Sequence, residues 1–286
     1  MDILTTLLTN DAKYSKGQRR IRDFILNNYD KAAFMTAAKL GQATGVSEST
    51  VVRFAVELGF DGYPKMQRAL EELVRTKLSS VQRLEIASDR MSRGDILRMV
   101  LLEDIDKIKI TLDEVDSEQF KNVVDEILKA KNVYILGVRS ASMLAEFLGL
   151  YLNLISSNVK IIRVNGACDI FEQLYRITEG DVIIGISFPR YSKRTLSALD
   201  YASSKGGKVI AITDSSRSPL VEKADYSLIA RSDMASFADS LVAPLSLINA
   251  LIVALGMEKK AEISNALEQL EKVWSDYETY DGDKVK

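Results

Sequence analysis

The 286-residue chain has no histidine, a single cysteine and no unbroken apolar run long enough for a bilayer. Each absence narrows the chemistry. Without histidine, Ser-His-Asp and Cys-His catalysis, Cys/His zinc fingers and any imidazole general base are excluded. An enzyme built on this chain has only carboxylates, Lys, Tyr or Arg to work with, and no metal or cofactor is expected. With Cys168 alone, no intramolecular disulfide forms. That excludes a secreted disulfide scaffold and fits a reducing cytoplasm. Cys168 itself reads as a small buried residue rather than a nucleophile. The longest apolar stretch, 241–256, is interrupted by Pro244, Ser246 and Asn249 and reads as a buried helix rather than a membrane span. The N-terminus lacks a basic start and a small-residue cleavage site, so no signal peptide is expected. Charge of one sign is also missing. The 38 Lys+Arg nearly balance the 40 Asp+Glu, a net of −2, which argues against a chain that coats nucleic acid along its whole length.

What is present is globular material, 47% hydrophobic and 27% charged, in a length that suggests two domains. The charge is unevenly placed. Residues 1–78 hold 12 basic and 9 acidic residues, a net of +3, leaving 26 and 31, a net of −5, for the remainder. The first part reads as helices throughout. Residues 95–115 read as one long amphipathic helix, and 116–131 as another, capped at Asp116 or Ser117. The segment "SSVQRLEIASDRMSRGD" reads as a linker or hinge. After residue 131 the period changes. "NVYILG", "VKIIRV", "DVIIGIS", "KVIAIT" and "YSLIA" are short strands separated by helical stretches, which predicts a parallel sheet with helices on both faces. A long apolar helix and a polar amphipathic helix end the chain, and "DGDKVK" is expected to fray.

Two motifs carry chemistry. "LGQATGVSESTVVRF" (40–54) fits helix, tight turn, helix. Gly45 supplies positive φ for the turn and Ser47 caps the second helix. Val46, Val51 and Phe54 pack inward. Ser47, Glu48, Ser49, Thr50 and Arg53 are then candidate DNA contacts, because short polar side chains and arginine suit base edges and phosphates. The alternative is a plain helical hairpin. Glu48 fits two roles, as a cytosine N4 acceptor or as a favourable charge in the helix's first turn.

The second motif occurs twice. "VYILGVRSASMLAEFL" and "VIIGISFPRYSKRTLSAL" each run from a strand through a hydroxyl- and arginine-bearing loop into a helix. Ligands of open parallel sheets bind at such strand exits, and helix N-termini favour anions. The candidate phosphate contacts are Arg139, Ser140, Ser142, Ser187, Arg190, Ser192 and Lys193, with Arg194 a weaker one. The alternative for the serines is simple capping. Glu146 and Glu172 lie near predicted loops and are the candidate bases of an enzyme, with helical surface charge as the other reading of each.

The stretch "GVSESTVVRFAVELGFDGYPKMQRAL" resembles the helix-turn-helix domain of the RpiR family of bacterial sugar regulators. The matching pieces are Gly45-Val46-Ser47, Thr50-Val51, Arg53-Phe54, Leu58-Gly59-Phe60 and Gly62-Tyr63, and the likeness covers most of residues 1–77. Residues 120–257 resemble the sugar isomerase (SIS) domain that accompanies it. Gly137 and Ser187 match that family's two phosphate loops, and 212–225 matches its strand-four exit. The loops also depart from the pattern, because Arg139 and the pair Pro189-Arg190 stand where the family carries glycine or Ser-Gly. Guanidinium forks replacing backbone amides is one reading of this. A degenerate site that only serves dimerisation is the other.

The resemblance implies a multi-domain chain, an all-α helix-turn-helix domain followed by an α/β SIS domain with a five-stranded parallel flavodoxin-like sheet. The expected division is 1–77 for DNA binding, 78–116 for a linker and connecting helix, 117–257 for the SIS domain and 258–286 for a C-terminal helix and tail. The implied function is a cytoplasmic regulator of carbohydrate metabolism rather than an enzyme. Its implied partners are operator double-stranded DNA, a phosphorylated sugar and further copies of itself, as a dimer or tetramer through the SIS domain, with no membrane. The alternatives are a sugar-phosphate isomerase with a helical accessory domain and a sugar-phosphate adaptor acting on a protein.

Overall fold

The computed structural model describes residues 3, 6–7, 14–77, 81, 84, 95–164, 169–232 and 238–279. Cys168, most of the expected hinge and the terminal "DGDKVK" lie outside them. The chain divides into two compact units, which are taken one at a time. One is centred on Met1–Asp95, the other on Ile96–Ala235 and Asp239–Lys286.

The first unit is helical. Its elements are α1 (Lys16–Asn27), α2 (Tyr29–Ala32), α3 (Ala37–Thr44), α4 (Glu48–Glu57) and α5 (Tyr63–Lys77). A capping box starts α1. The Ser15 hydroxyl accepts from the Gln18 amide, and the Gln18 side chain accepts from the Ser15 amide at 2.7 Å. Thr36 and Ser47 cap α3 and α4 by accepting from the Lys39 and Thr50 amides. Ile21, Ile25, Leu40, Val51, Phe54, Met66 and Leu70 are fully buried and form the core. Tyr63 ties α5 to the segment before α3 by donating to the Met35 carbonyl at 2.7 Å. Burial, and next the Glu71 charge, push its phenol from the ordinary value of 10.0 up to about 12.

The second unit begins with α6 (Ile96–Glu114) and α7 (Ser117–Lys129), the latter capped by Asp116. Five strands follow, β1 (Val133–Gly137), β2 (Val159–Ile162), β3 (Val182–Ile186), β4 (Lys208–Thr213) and β5 (Tyr226–Ile229), with α8 (Ala141–Ile155), α9 (Ile170–Leu174) and α10 (Lys193–Ser204) between them. The unit closes with α11 (Val242–Glu258) and α12 (Lys260–Asp276). The sheet order is β2-β1-β3-β4-β5, every pair parallel.

Strand alternation sends Val133, Ile135, Ile184 and Ile210 into a core with α7, α8 and α11. Tyr134, Leu136, Ile183 and Val209 enter a second core with α9 and α10. Both faces are covered, which is why the central strands read as continuous apolar runs. Gly137 ends β1 because nothing larger fits. A Cβ there would lie 2.2 Å from the Ala141 carbonyl oxygen.

The helix expected at 95–115 is present as α6, but its amphipathic pattern is turned outward. The face packed on its own unit buries Lys107 and Thr111. Lys107 is held by Asp104 at 3.4 Å, and Asp104 in turn accepts from Ser240 at 2.6 Å. Leu97 and Leu112 are 75% and 72% exposed, with Leu101, Leu102 and Ile105 also exposed. Among the described residues, no single helix is long and apolar enough to cross a membrane.

Candidate functional site

The parallel order places the switch point of the sheet between β1 and β3. There successive connections leave to opposite sides, the place where open α/β sheets bind their ligands. Gly137 of β1 pairs with Ile186 of β3, so the loops that follow these strands, 138–140 and 187–192, are neighbours. All seven candidate phosphate residues fall on these two loops or on the first turn of the helix that follows each. Sequence spacing alone does not bring the loops together.

The two arginines share an unexpected backbone. Among the described residues three non-glycine residues have positive φ, and two of them are Arg139 (59°) and Arg190 (58°). Left-handed backbone costs an L-residue with a Cβ roughly 1–2 kcal/mol. Each loop thus holds an arginine in a backbone conformation that suits glycine. Both side chains are exposed.

The hydroxyls differ in what they have left to give. Ser142 donates to the Arg139 carbonyl at 2.6 Å, so in this arrangement its proton holds the strained loop. Ser140 stands at the N-cap position of α8 without a capping bond. Ser192 caps α10 by accepting from the Thr195 amide at 3.2 Å. Ser187 is buried and accepts from the Ser192 amide at 3.1 Å. Both therefore act as acceptors and still have an O–H to donate. Lys193 is exposed as the first residue of α10, and Arg194 is paired with Asp169 at 3.2 Å.

Beneath these loops lies a polar floor that sequence reading only partly anticipated. Thr213 donates to the Ser187 carbonyl at 2.8 Å and shares a 2.7 Å hydroxyl contact with Ser218. The neighbouring Asp214 is buried and accepts from Tyr191 at 2.9 Å. The residues on either side of Arg190's left-handed turn are thereby anchored to β4. Tyr191, Asp214 and the fully buried Thr195 went unremarked from sequence. The Thr195 hydroxyl has no hydrogen-bond partner among the described residues, and a buried orphan costs about 1–3 kcal/mol until one arrives. The two glutamates that an enzyme would need are engaged elsewhere. Glu146 forms a two-pronged pair with Arg163 at 2.9 and 3.3 Å. Glu172 completes a capping box at Asp169.

In the helical unit, the turn between α3 and α4 is a Schellman motif. Val46 N–H bonds the Gly41 carbonyl at 2.9 Å, Gly45 N–H bonds Gln42 at 3.3 Å, and Gly45 has φ 65°. Val51 and Phe54 turn inward as expected and Val46 is half-buried. Ser47, Glu48, Ser49 and Arg53 are exposed and Thr50 half-exposed at the start of α4. The hydroxyls of Ser49 and Thr50 lie 2.9 and 2.8 Å from that of Ser47, and Arg53 Nε donates to the Ser49 carbonyl at 3.3 Å. Sequence reading left out Val52 and Val56, which are exposed on the same face. Small apolar side chains there suit contact with thymine methyl groups.

Comparison with known proteins follows the same division. A family model described as a helix-turn-helix domain of the rpiR family matches residues 1–77, and a SIS domain model matches 126–254. An uncharacterized HTH-type transcriptional regulator of Haemophilus influenzae is 27% identical over 227 residues, 75% of each chain. The sugar isomerase domain of an RpiR transcription factor from Sphaerobacter thermophilus superposes with a TM-score of 0.58 at 26% identity, covering 61% of this chain and 97% of that one. The Vibrio vulnificus NanR protein, complexed with ManNAc-6P, covers 96% of this chain and 98% of its own with a TM-score of 0.59 at 23% identity. That last likeness is one of fold.

Proposed function

The chain belongs to the RpiR family of helix-turn-helix transcriptional regulators with a SIS domain, and from that premise we propose how its parts divide the work. Residues 1–77 read operator DNA through Ser47, Glu48, Ser49, Thr50 and Arg53. Residues 117–257 hold the phosphate of a sugar between Arg139, Ser140 and Ser142 on one loop and Ser187, Arg190, Ser192 and Lys193 on the other. Residues 78–116 connect the two, and 258–286 form the C-terminal helix and tail. The observation that carries the sensor reading is the pair of left-handed arginines at the switch point. Strain is kept where the surrounding structure over-determines it and function uses it. A guanidinium fork offers a phosphate two parallel hydrogen bonds, which replaces the close backbone approach that glycine allows.

Ligand binding alters operator affinity only to the extent that the ligand prefers one arrangement of the chain over another. The protein acts in the cytoplasm, where its DNA is, as a dimer or tetramer. The outward leucines of α6 support self-association, since apolar surface of this kind marks interaction sites.

The test is a thermal-shift screen of sugar phosphates, ManNAc-6P first because the structurally similar NanR is complexed with it. It is run on the wild type and on Arg190→Ala. A compound that raises the melting temperature of the wild type and not of the variant supports the site. If no phosphorylated sugar stabilises the wild type, the sensor reading is wrong.

A further inference from the structure

The basic character of the helical unit extends beyond α4. Lys16, Arg19 and Arg20 are all exposed on α1. At about 100° per residue, Lys16 and Arg20 share one flank, whereas Arg19 points about 100° away from Arg20. Packing shows which flank meets the turn. A Cβ on Gly17 would lie 3.4 Å from Val46 Cγ1 and 3.9 Å from Thr50 Cγ2. Arg20 Nη1 donates to the Gly45 carbonyl at 3.2 Å. The flank carrying Gly17 and Arg20 therefore lies against the elbow and the first turn of α4.

Among the described residues no carboxylate pairs with Lys16 or Arg20, whereas Arg22, further along, is paired with Asp23 at 2.6 Å. The Gly45 carbonyl occupies one of Arg20's five N–H donors. Packed helices lie about 8–10 Å apart, and the major groove is about 12 Å wide. A helix packed on the flank of one seated in the groove therefore meets the phosphate wall.

We propose that Lys16 and Arg20 each contact a DNA backbone phosphate beside the site read by α4, so that α1 supplies sequence-independent affinity and fixes the docking angle. This rests on the DNA-binding reading of residues 1–77. The Gly45 contact gives Arg20 a second role, since the same side chain braces the turn and holds its own guanidinium at the DNA face.

The test is fluorescence polarisation of the full chain on a random-sequence duplex across a salt series. Each neutralised phosphate contributes about 0.9 to the slope of log K against log salt, which amounts to roughly eightfold in affinity at about 0.1 M. Lys16→Gln and Arg20→Gln should each lower the slope by about 0.9, Arg20→Lys should keep it, and Arg19→Gln should leave it unchanged. All three glutamine variants remove one charge, so a net-charge effect predicts that they match. Matching slopes for Arg19→Gln and Arg20→Gln, or an unchanged slope for Lys16→Gln, overturn the proposal. Should Arg20→Gln loosen the turn, seen as a lower melting temperature by circular dichroism, Lys16→Gln against Arg19→Gln decides. A wild-type chain that shows no salt-dependent binding to any duplex refutes the DNA reading itself, a distinct failure.

Discussion

Arg139 offers a perturbation in which stability and function should move in opposite directions. Its φ of 59° costs a residue with a Cβ roughly 1–2 kcal/mol. Glycine removes that cost but loses about 0.5–1 kcal/mol more chain entropy on folding. The balance favours Arg139→Gly over Arg139→Ala by about 0.5–1 kcal/mol, or roughly 2 °C in melting temperature for a chain of this size. The side chain is exposed, so little packing is lost in either variant. The backbone carbonyl that accepts from Ser142 is kept in both. Both variants lose the guanidinium, and a charge-assisted hydrogen bond is worth about 1.5–3 kcal/mol, a loss of roughly 10- to 150-fold in affinity. Calorimetric melts of the wild type and both variants, with and without the sugar phosphate found in the screen, read both quantities. The expected pattern is a glycine variant that melts above the alanine variant without ligand, with neither showing the wild-type ligand shift. If Arg139→Gly melts below Arg139→Ala, the strain argument fails. If either variant keeps the full ligand shift, the arginine does not serve the ligand.

Three further outcomes follow from the same geometry. Gly45→Ala places a Cβ at φ 65°, 3.2 Å from Arg20 Nη1, and should cost about 1 kcal/mol of urea-measured stability in the helical unit; an unchanged midpoint would contradict the turn. Tyr63 has its folded pKa raised from 10.0 to about 12, so the folded state holds this proton more tightly than the unfolded chain does. Its stabilisation is complete below pH 10 and is lost as pH rises through 12. Tyr63→Phe should lose about 1 kcal/mol at neutral pH with the Met35 hydrogen bond, and should show a shallower decline than the wild type between pH 10 and 12. Parallel declines would mean that another group is responsible. Leu101→Asp on the outward face of α6 should shift the mass measured by light scattering toward the 31.8 kDa of one chain, and a wild-type mass in the variant would move the self-association surface elsewhere.

What could be read from sequence was local. The change of period after residue 131, the caps at Ser47, Asp116 and Ser192, and the glycine turn at 45 each depend on residues within a few positions of one another. Interactions between residues so near in the chain leave a pattern in it. The three central strands, β1, β3 and β4, were visible for the same reason, because strands buried on both faces are continuous runs of apolar residues. The α6 helix was legible as a helix but not in its orientation. Periodicity says that a helix has an apolar face, and the surrounding packing decides which way that face turns. Here Lys107 finds Asp104 on the inside, and Asp104 in turn accepts from Ser240.

By itself, then, the amino-acid sequence determined two domains, their fold classes, the turn and caps of the DNA-reading motif, and the arginines in the two loops. That the two arginine loops follow neighbouring strands was already an expectation; only the tertiary structure set the register that puts Gly137 beside Ile186. It likewise decided that Tyr191 and Asp214 anchor one loop to the next strand, and that Arg20 reaches the turn at Gly45. The left-handed backbone at Arg139 and Arg190 belongs to the same class. Local energetics disfavour that conformation for a residue with a Cβ, so it persists where other contacts outweigh the preference, Ser142 at Arg139 and the distant Thr213 and Asp214 around Arg190.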